Sequence, residues 1–348
     1  MWFLLFACAK KVSFDDPIPV DDWLPRTAPD AATLARYDDA AAWSEEHDGK
    51  ALLVIVGDAI VYEHYAVDFS AETPHHLFSG TKTFACALAA AANADGLLLM
   101  DERASDTIPE WTDDRSTIEV QQLLHFTSGL HEPWWKMTWD GLKANPRVDD
   151  KYALALEQPV DTAPGTTFEY GSTHLMAFGA LMGRKLDRDP QVWLAERVLD
   201  PIGLRFSGWI RDPAGNPAWP YGAYATANEW AKFGVLLRDD GDFLGARVLP
   251  AGALSACRVG SDANPAYGLG MWLNAEVGPD VDMSAFHTTE AAGPKIWNDG
   301  PADLFMAAGA QDQRLYVMPS LDTIVVRLGD GDRDFKDAEM LRRIVEVP

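Results

Sequence analysis

Ala51-Leu52-Leu53-Val54-Ile55-Val56-Gly57-Asp58-Ala59-Ile60-Val61-Tyr62-Glu63-His64-Tyr65 is two runs of strand-forming residues divided by a Gly57-Asp58 turn. β-Branched and aromatic side chains suit a pleated, half-buried surface, and two such runs split by a short turn read as a β-hairpin. Three more short runs of this type, Leu304 to Ala308, Gln313 to Met318 and Thr323 to Leu328, lie near the other end of the chain. Asp334 to Val345 then reads as a closing helix. An antiparallel sheet assembled from both chain ends is the consequence.

Between those ends, Thr107 to Leu254 is dominated by helix-type periodicity, at Glu119 to His125, Met176 to Leu186, Gln191 to Leu199 and Asn228 to Arg238. The expected fold class is therefore α+β, an α/β sandwich whose sheet is flanked by helices and interrupted by a mostly helical subdomain. Residues 1–30 read as a leader and a linker or wrapping arm, where Pro17, Pro19, Pro25 and Pro29 disfavour both helix and ladder. A helix near Ala31 to Glu46 opens a single domain spanning 31–348, with an α/β part at about 31–106 and 255–348 and a helical part at about 107–254. The junction of the two parts is where a cleft is expected.

Composition bounds the functions. The chain has 348 residues, 47% hydrophobic and 24% charged, which excludes a disordered or fibrous protein and leaves room for a large core. Its 29 Lys plus Arg against 53 Asp plus Glu give a net charge of −24. No basic cluster exceeds Lys10-Lys11, so nucleic acid is excluded as a partner and anionic membrane surfaces are disfavoured. Cys8, Cys86 and Cys257 show no C-x-x-C or Cys/His spacing. Neither a structural zinc nor a disulfide framework is expected, and Cys86 and Cys257 read as buried small apolar side chains. Leu5-Phe6-Ala7-Cys8 resembles a bacterial lipoprotein cleavage box, without the charged segment that normally precedes one. Two readings stay open: an exported lipoprotein anchored at Cys8, or a cytoplasmic chain with an unmodified tail.

Three segments carry candidate chemistry. The first, Phe78-Ser79-Gly80-Thr81-Lys82, opens an Ala-rich helix that ends near Gly96. Residues three apart on a helix lie one above the other, so the Ser79 hydroxyl and Lys82 ammonium can meet, and a serine becomes nucleophilic only when a base takes its proton. Chance alone supplies roughly 0.4 such Ser-x-x-Lys pairs in a chain of this composition, so the pair gains weight only from context. The second segment is Pro164-Gly165-Thr166-Thr167-Phe168-Glu169-Tyr170-Gly171-Ser172, where a loop tyrosine beside a lysine would have its phenol pKa lowered and act as a base. The third is Phe305-Met306-Ala307-Ala308-Gly309-Ala310, whose small residues would let a substrate lie along a strand edge.

In this order the three segments resemble the serine β-lactamase and penicillin-binding protein superfamily. The likeness is to its class C-like branch, with the family VIII carboxylesterases, the D-aminopeptidase-type enzymes and the 6-aminohexanoate-dimer hydrolases. Further family-like stretches include Gln122 to Leu130, Leu199 to Leu204, Tyr224 to Gly234, Tyr267 to Trp272 and Gln313 to Pro319. The resemblance implies a serine hydrolase of a small ester or amide, without metal or organic cofactor. Ser79 would form an acyl-enzyme, Lys82 and Tyr170 would move protons, and the backbone N–H groups of Ser79 and Ala310 would hold the oxyanion beside Gly309. Ser172 stands where many relatives carry a substrate-contacting Asn. Ala307 stands where relatives carry a cation, so carboxylate-bearing β-lactams and peptides are expected to be poor substrates, in a cleft short of positive charge. Asp312 falls where relatives often have Gly. Trp134, Trp135 and Trp139 would wall a pocket, and His125, His131 and His174 read as structural because no Gly-x-Ser-x-Gly elbow is present. β-Lactamase or D,D-peptidase activity, and a non-catalytic relative that binds peptidoglycan or a protein, remain the alternatives.

Overall fold

The computed structural model describes residues 14–138, 147–277, 281 and 295–346. The main sheet has six strands: β1 (Gly49–Val56), β2 (Ala59–Tyr65), β3 (Trp272–Leu273), β4 (Phe305–Gly309), β5 (Gln313–Met318) and β6 (Thr323–Gly329). They run antiparallel in the order β2-β1-β6-β5-β4-β3, so the sequence-based hairpin and the three late strands form one sheet. The two chain ends join at the β1–β6 pair, where Leu53 faces Val326 and Val54 faces Val325.

The longer helices among the described residues are α1 (Ala31–Glu46), α2 (Thr83–Ala94), α3 (Thr173–Leu186), α4 (Ala227–Arg238) and α5 (Asp337–Ile344), of which α1 and α4 pack directly on the sheet. Odd and even residues of a strand point to opposite faces. On β6, Ile324 packs on Gly234 of α4, whereas Arg327 donates to Ser44 Oγ of α1 at 3.0 Å, so helices cover both faces. With both faces covered, every residue of β5 and β6 is buried, which explains their nearly continuous apolar character.

Helix α2 is apolar on all sides and lies inside the molecule, with Thr83 through Ala92 all buried. Its one large aromatic, Phe84, meets the rings of Phe206, Trp209 and Phe233. Residues 14–30 lie along the body. Ile18 and Leu24 are buried, Arg205 donates to Pro19 O at 2.8 Å, and Lys232 pairs with Asp21 at 2.9 Å. Cys8 lies outside the described residues. Among the described residues no helix is long and apolar enough to cross a membrane.

The cysteine reading needs correction. Cys86 on α2 and Cys257 in the short turn Ser255–Arg258 are joined in a disulfide, with their Cα atoms 6.1 Å apart. A separation of 171 residues leaves no spacing signature. Both residues are indeed buried, but they form a covalent tie between the helix behind Ser79 and the segment leading to β3.

Candidate active site

Ser79 and Lys82 sit on a 3-10 turn, Phe78–Lys82, that runs into α2. Side chains three apart eclipse in a 3-10 turn, more closely than in the regular α-helix expected from the sequence. Lys82 Nζ accordingly donates to Ser79 Oγ at 2.8 Å and to Pro220 O at 2.8 Å. Phe78 enters the turn at φ +46°, a backbone region that a bulky residue rarely occupies, and its ring packs 3.9 Å from that of His76. The strained residue and its anchor thus immediately precede the candidate nucleophile.

Strand β4 reaches this turn through Gly309. A Cβ built there would lie 2.1 Å from Leu77 O, so only glycine permits the approach that places Ala310 at the same cleft as Ser79. Arg314 fixes the end of the strand by donating to Gly309 O at 3.1 Å and Gln313 O at 3.0 Å, and is itself paired with Asp337 at 2.6 Å. The Asp at position 312 now has a physical account. It adopts φ +60°, where glycine is the usual residue, and its carboxylate accepts the Asp332 N–H at 2.9 Å while lying 3.4 Å from Arg314.

The third element brings Tyr170 over the lysine, with Lys82 Nζ 4.8 Å from the ring centroid. The ammonium lies over the ring, and it and the phenol both bond Ser79. Burial pushes the Tyr170 phenol well above the ordinary tyrosine value, offset in part by its hydrogen bond with Ser79 and by the charge of Arg314. The expected lowering of Tyr170 is therefore corrected, and the depressed group is Lys82. Only 3% exposed, Lys82 is lowered to about 7 by burial, against an opposing pull from Glu132.

Other expected residues divide. Ser172 lines the cleft, but its hydroxyl is engaged with Thr138 Oγ1 at 2.8 Å. Trp134 lines the cleft; Trp135, at 69% exposed, does not, and Trp139 lies outside the described residues. His174 bonds Ser128 Oγ at 2.8 Å and Glu169 O at 2.9 Å, and burial lowers it to about 4, in keeping with a structural role. Sequence reading missed Glu132, whose Oε2 accepts the Ser172 and Thr173 N–H groups, and the Pro220 carbonyl that holds Lys82. A signal for Glu132 existed: it is the one carboxylate in the run from Thr127 to Trp139.

The cleft encloses about 860 Å³, the size of a small-molecule site. Its wall includes Lys82, Arg147, Lys151, Arg211 and Arg314 against Asp212 and Asp312. The missing cation at Ala307 therefore does not leave the cleft poor in positive charge, contrary to expectation. Several of these cations are engaged, Arg211 with Asp189 at 2.5 Å and Lys151 with Met137 O at 2.8 Å.

Solved structures give the same fold at low sequence identity. A putative 6-aminohexanoate-dimer hydrolase from Bacillus anthracis superposes with a TM-score of 0.69 at 16% identity, covering 88% of this chain and 82% of its own. A penicillin-binding protein homologue from Caulobacter crescentus gives 0.69 at 16% identity over 92% and 97%. The hydrolase EstCE1, described as having promiscuous acyltransferase activity, gives 0.67 at 16% identity over 90% and 97%. No curated protein matches by sequence. The sequence model of the Beta-lactamase family matches residues 34–347, the span that holds the sheet, α2 and the whole cleft. The chain therefore belongs to the beta-lactamase family.

Proposed function

We propose that the chain hydrolyses an ester or amide bond of a small molecule through an acyl-enzyme on Ser79. The observation that carries this reading is the 2.8 Å contact between Ser79 Oγ and a buried Lys82 lowered to about 7. At neutral pH about half of such a lysine is the free amine, which accepts the Ser79 proton as the oxygen attacks the carbonyl. The Ser79 and Ala310 N–H groups would stabilise the oxyanion. Tyr170 stays a neutral phenol bonded to Ser79, suited to passing a proton to the leaving oxygen or nitrogen while Pro220 O keeps the lysine in place. Once Lys82 has passed the Ser79 proton through Tyr170 to the leaving group and is again the free amine, water attacks the acyl-enzyme, Lys82 takes the water's proton, and that proton returns to Ser79 Oγ as the acid leaves.

A fluorophosphonate probe is the direct test. Labelling at Ser79 in the wild-type chain, abolished by Ser79→Ala, is the expected result; a folded chain that never labels would favour a non-catalytic binder. A second reading, a carboxylate-bearing substrate such as a β-lactam, is favoured by the arginines of the cleft wall. Faster turnover of nitrocefin than of p-nitrophenyl butyrate would select it, whereas the opposite ranking is expected for the esterase or amidase.

A further inference from the structure

We propose that Glu132 is a positioning residue of this site: its buried carboxylate clamps the turn that carries Tyr170 and supplies the negative charge against which Lys82 holds its proton. The inference rests on the Ser79 acyl-enzyme reading. Glu132 is 6% exposed, and its Oε2 accepts two backbone N–H groups, Ser172 and Thr173, each at 2.7 Å. These amides directly follow Tyr170-Gly171 and open α3, where unpaired N–H groups and the helix dipole favour an anion. Ser172, the residue at the cap position, makes no side-chain cap bond of its own. The cap comes from a residue 40 positions away in sequence.

The fit is close. A Cβ at Gly171 would lie 2.3 Å from Glu132 Oε2, so any side chain there would have to displace the carboxylate. Burial raises Glu132, while hydrogen bonds from the Thr173 amide and side chain and from the Ser172 amide, with the charge of Lys82, pull it down. A cap intended only to start a helix needs no such burial, and an exposed Asp does the same work for α1 at Asp30.

The charge acts on the lysine. Lys82 is surrounded by Ser79 Oγ, Pro220 O and the Tyr170 ring, all uncharged, and by His174, which burial keeps neutral. Arg314 lies near enough to influence Tyr170. Glu132 is the carboxylate whose field reaches Lys82. Removing that charge leaves burial unopposed, so Lys82 gives up its proton at lower pH and the acid limb of the reaction moves down.

The test measures fluorophosphonate labelling rate against pH. Wild-type labelling at Ser79 first establishes the reading beneath the proposal. Glu132→Gln keeps an oxygen for both N–H groups and removes the charge, so the midpoint of the acid limb is expected to fall by about one pH unit. Glu132→Asp keeps the charge and withdraws the clamp, so a rate roughly tenfold lower at an unchanged midpoint is expected. A Gln variant with the wild-type midpoint, changed only in thermal stability, would reduce Glu132 to a helix cap and overturn the proposal. If the Gln variant does not fold, an Asp variant as fast as wild type overturns it instead.

Discussion

The turn carrying Ser79 and Lys82 and the loop carrying Glu132 converge on Tyr170 from two parts of the chain, and different forces hold them. The first is built from short-range geometry and close packing: an eclipsed 3-10 spacing, a strained Phe78 and a β4 strand brought against Leu77 O by the absence of a side chain at Gly309. The second is built from polar reach, with one carboxylate satisfying two amides 40 and 41 residues away. Geometry of the first kind is set by close packing and tolerates little change in volume. A polar clamp tolerates change in shape and depends on charge. Substitutions in the two regions should therefore fail in different ways.

The largest effect is expected in the turn. Lys82→Met fills much of the same space without an amine and should slow labelling at Ser79 by at least ~10³-fold, read by probe kinetics on folded protein. Gly309→Ala comes next. Its methyl group must displace backbone at Leu77, so we expect about a 10²-fold loss of activity and about 1–3 kcal/mol of stability, checked by turnover and urea unfolding. A Gly309→Ala protein with normal turnover would show that the turn is softer than its packing suggests.

The pH profile probes the junction of the two regions. With Lys82 lowered to about 7 and acting as the free amine, activity should rise with pH up to about 7 and then level off, falling about tenfold per unit on the acid side. A profile flat from pH 5 to 8 would remove Lys82 as the base. The Cys86–Cys257 bond affects stability more than rate: it closes a span of 171 residues, and neither cysteine lines the cleft. Reduction should cost about 2–5 kcal/mol in unfolding free energy while changing labelling less than threefold.

The same division explains what was legible in the sequence. Ser79 and Lys82 are three residues apart, and the hairpin from Ala51 to Tyr65 declares itself through its own side chains, so both could be read directly. Interactions between distant residues could not. The helix expected from Met176 in fact begins at Thr173, because Glu132 supplies the cap from a distant loop. The direction of the Tyr170 shift is not legible because burial, which raises the phenol, is set by how distant segments close over the loop. The disulfide was missed for the same reason, since two cysteines on separate elements carry no pattern. The cleft's positive wall likewise draws Arg147, Lys151 and Arg211 from three places in the chain, whereas Ala307 alone suggested a neutral site.

The smallest expected effect separates two adjacent tryptophans on the Glu132 side. Trp134 lines the cleft at 39% exposed, while its neighbour Trp135 is turned to solvent at 69%. If the loop recognises substrate, only the first should matter. Covering roughly 50 Å² of indole with an apolar acyl group is worth about 1.3 kcal/mol, or about a tenfold change in binding. Trp134→Ala is then expected to raise KM for p-nitrophenyl butyrate by about three- to tenfold with kcat within twofold, and Trp135→Ala to leave both unchanged. Equal effects from the two substitutions would mean that the loop acts through its own packing. Ground-state contact with the acyl group would then have to be assigned to the Ser79 side, and the two regions would divide into one that binds and reacts and one that only holds charge.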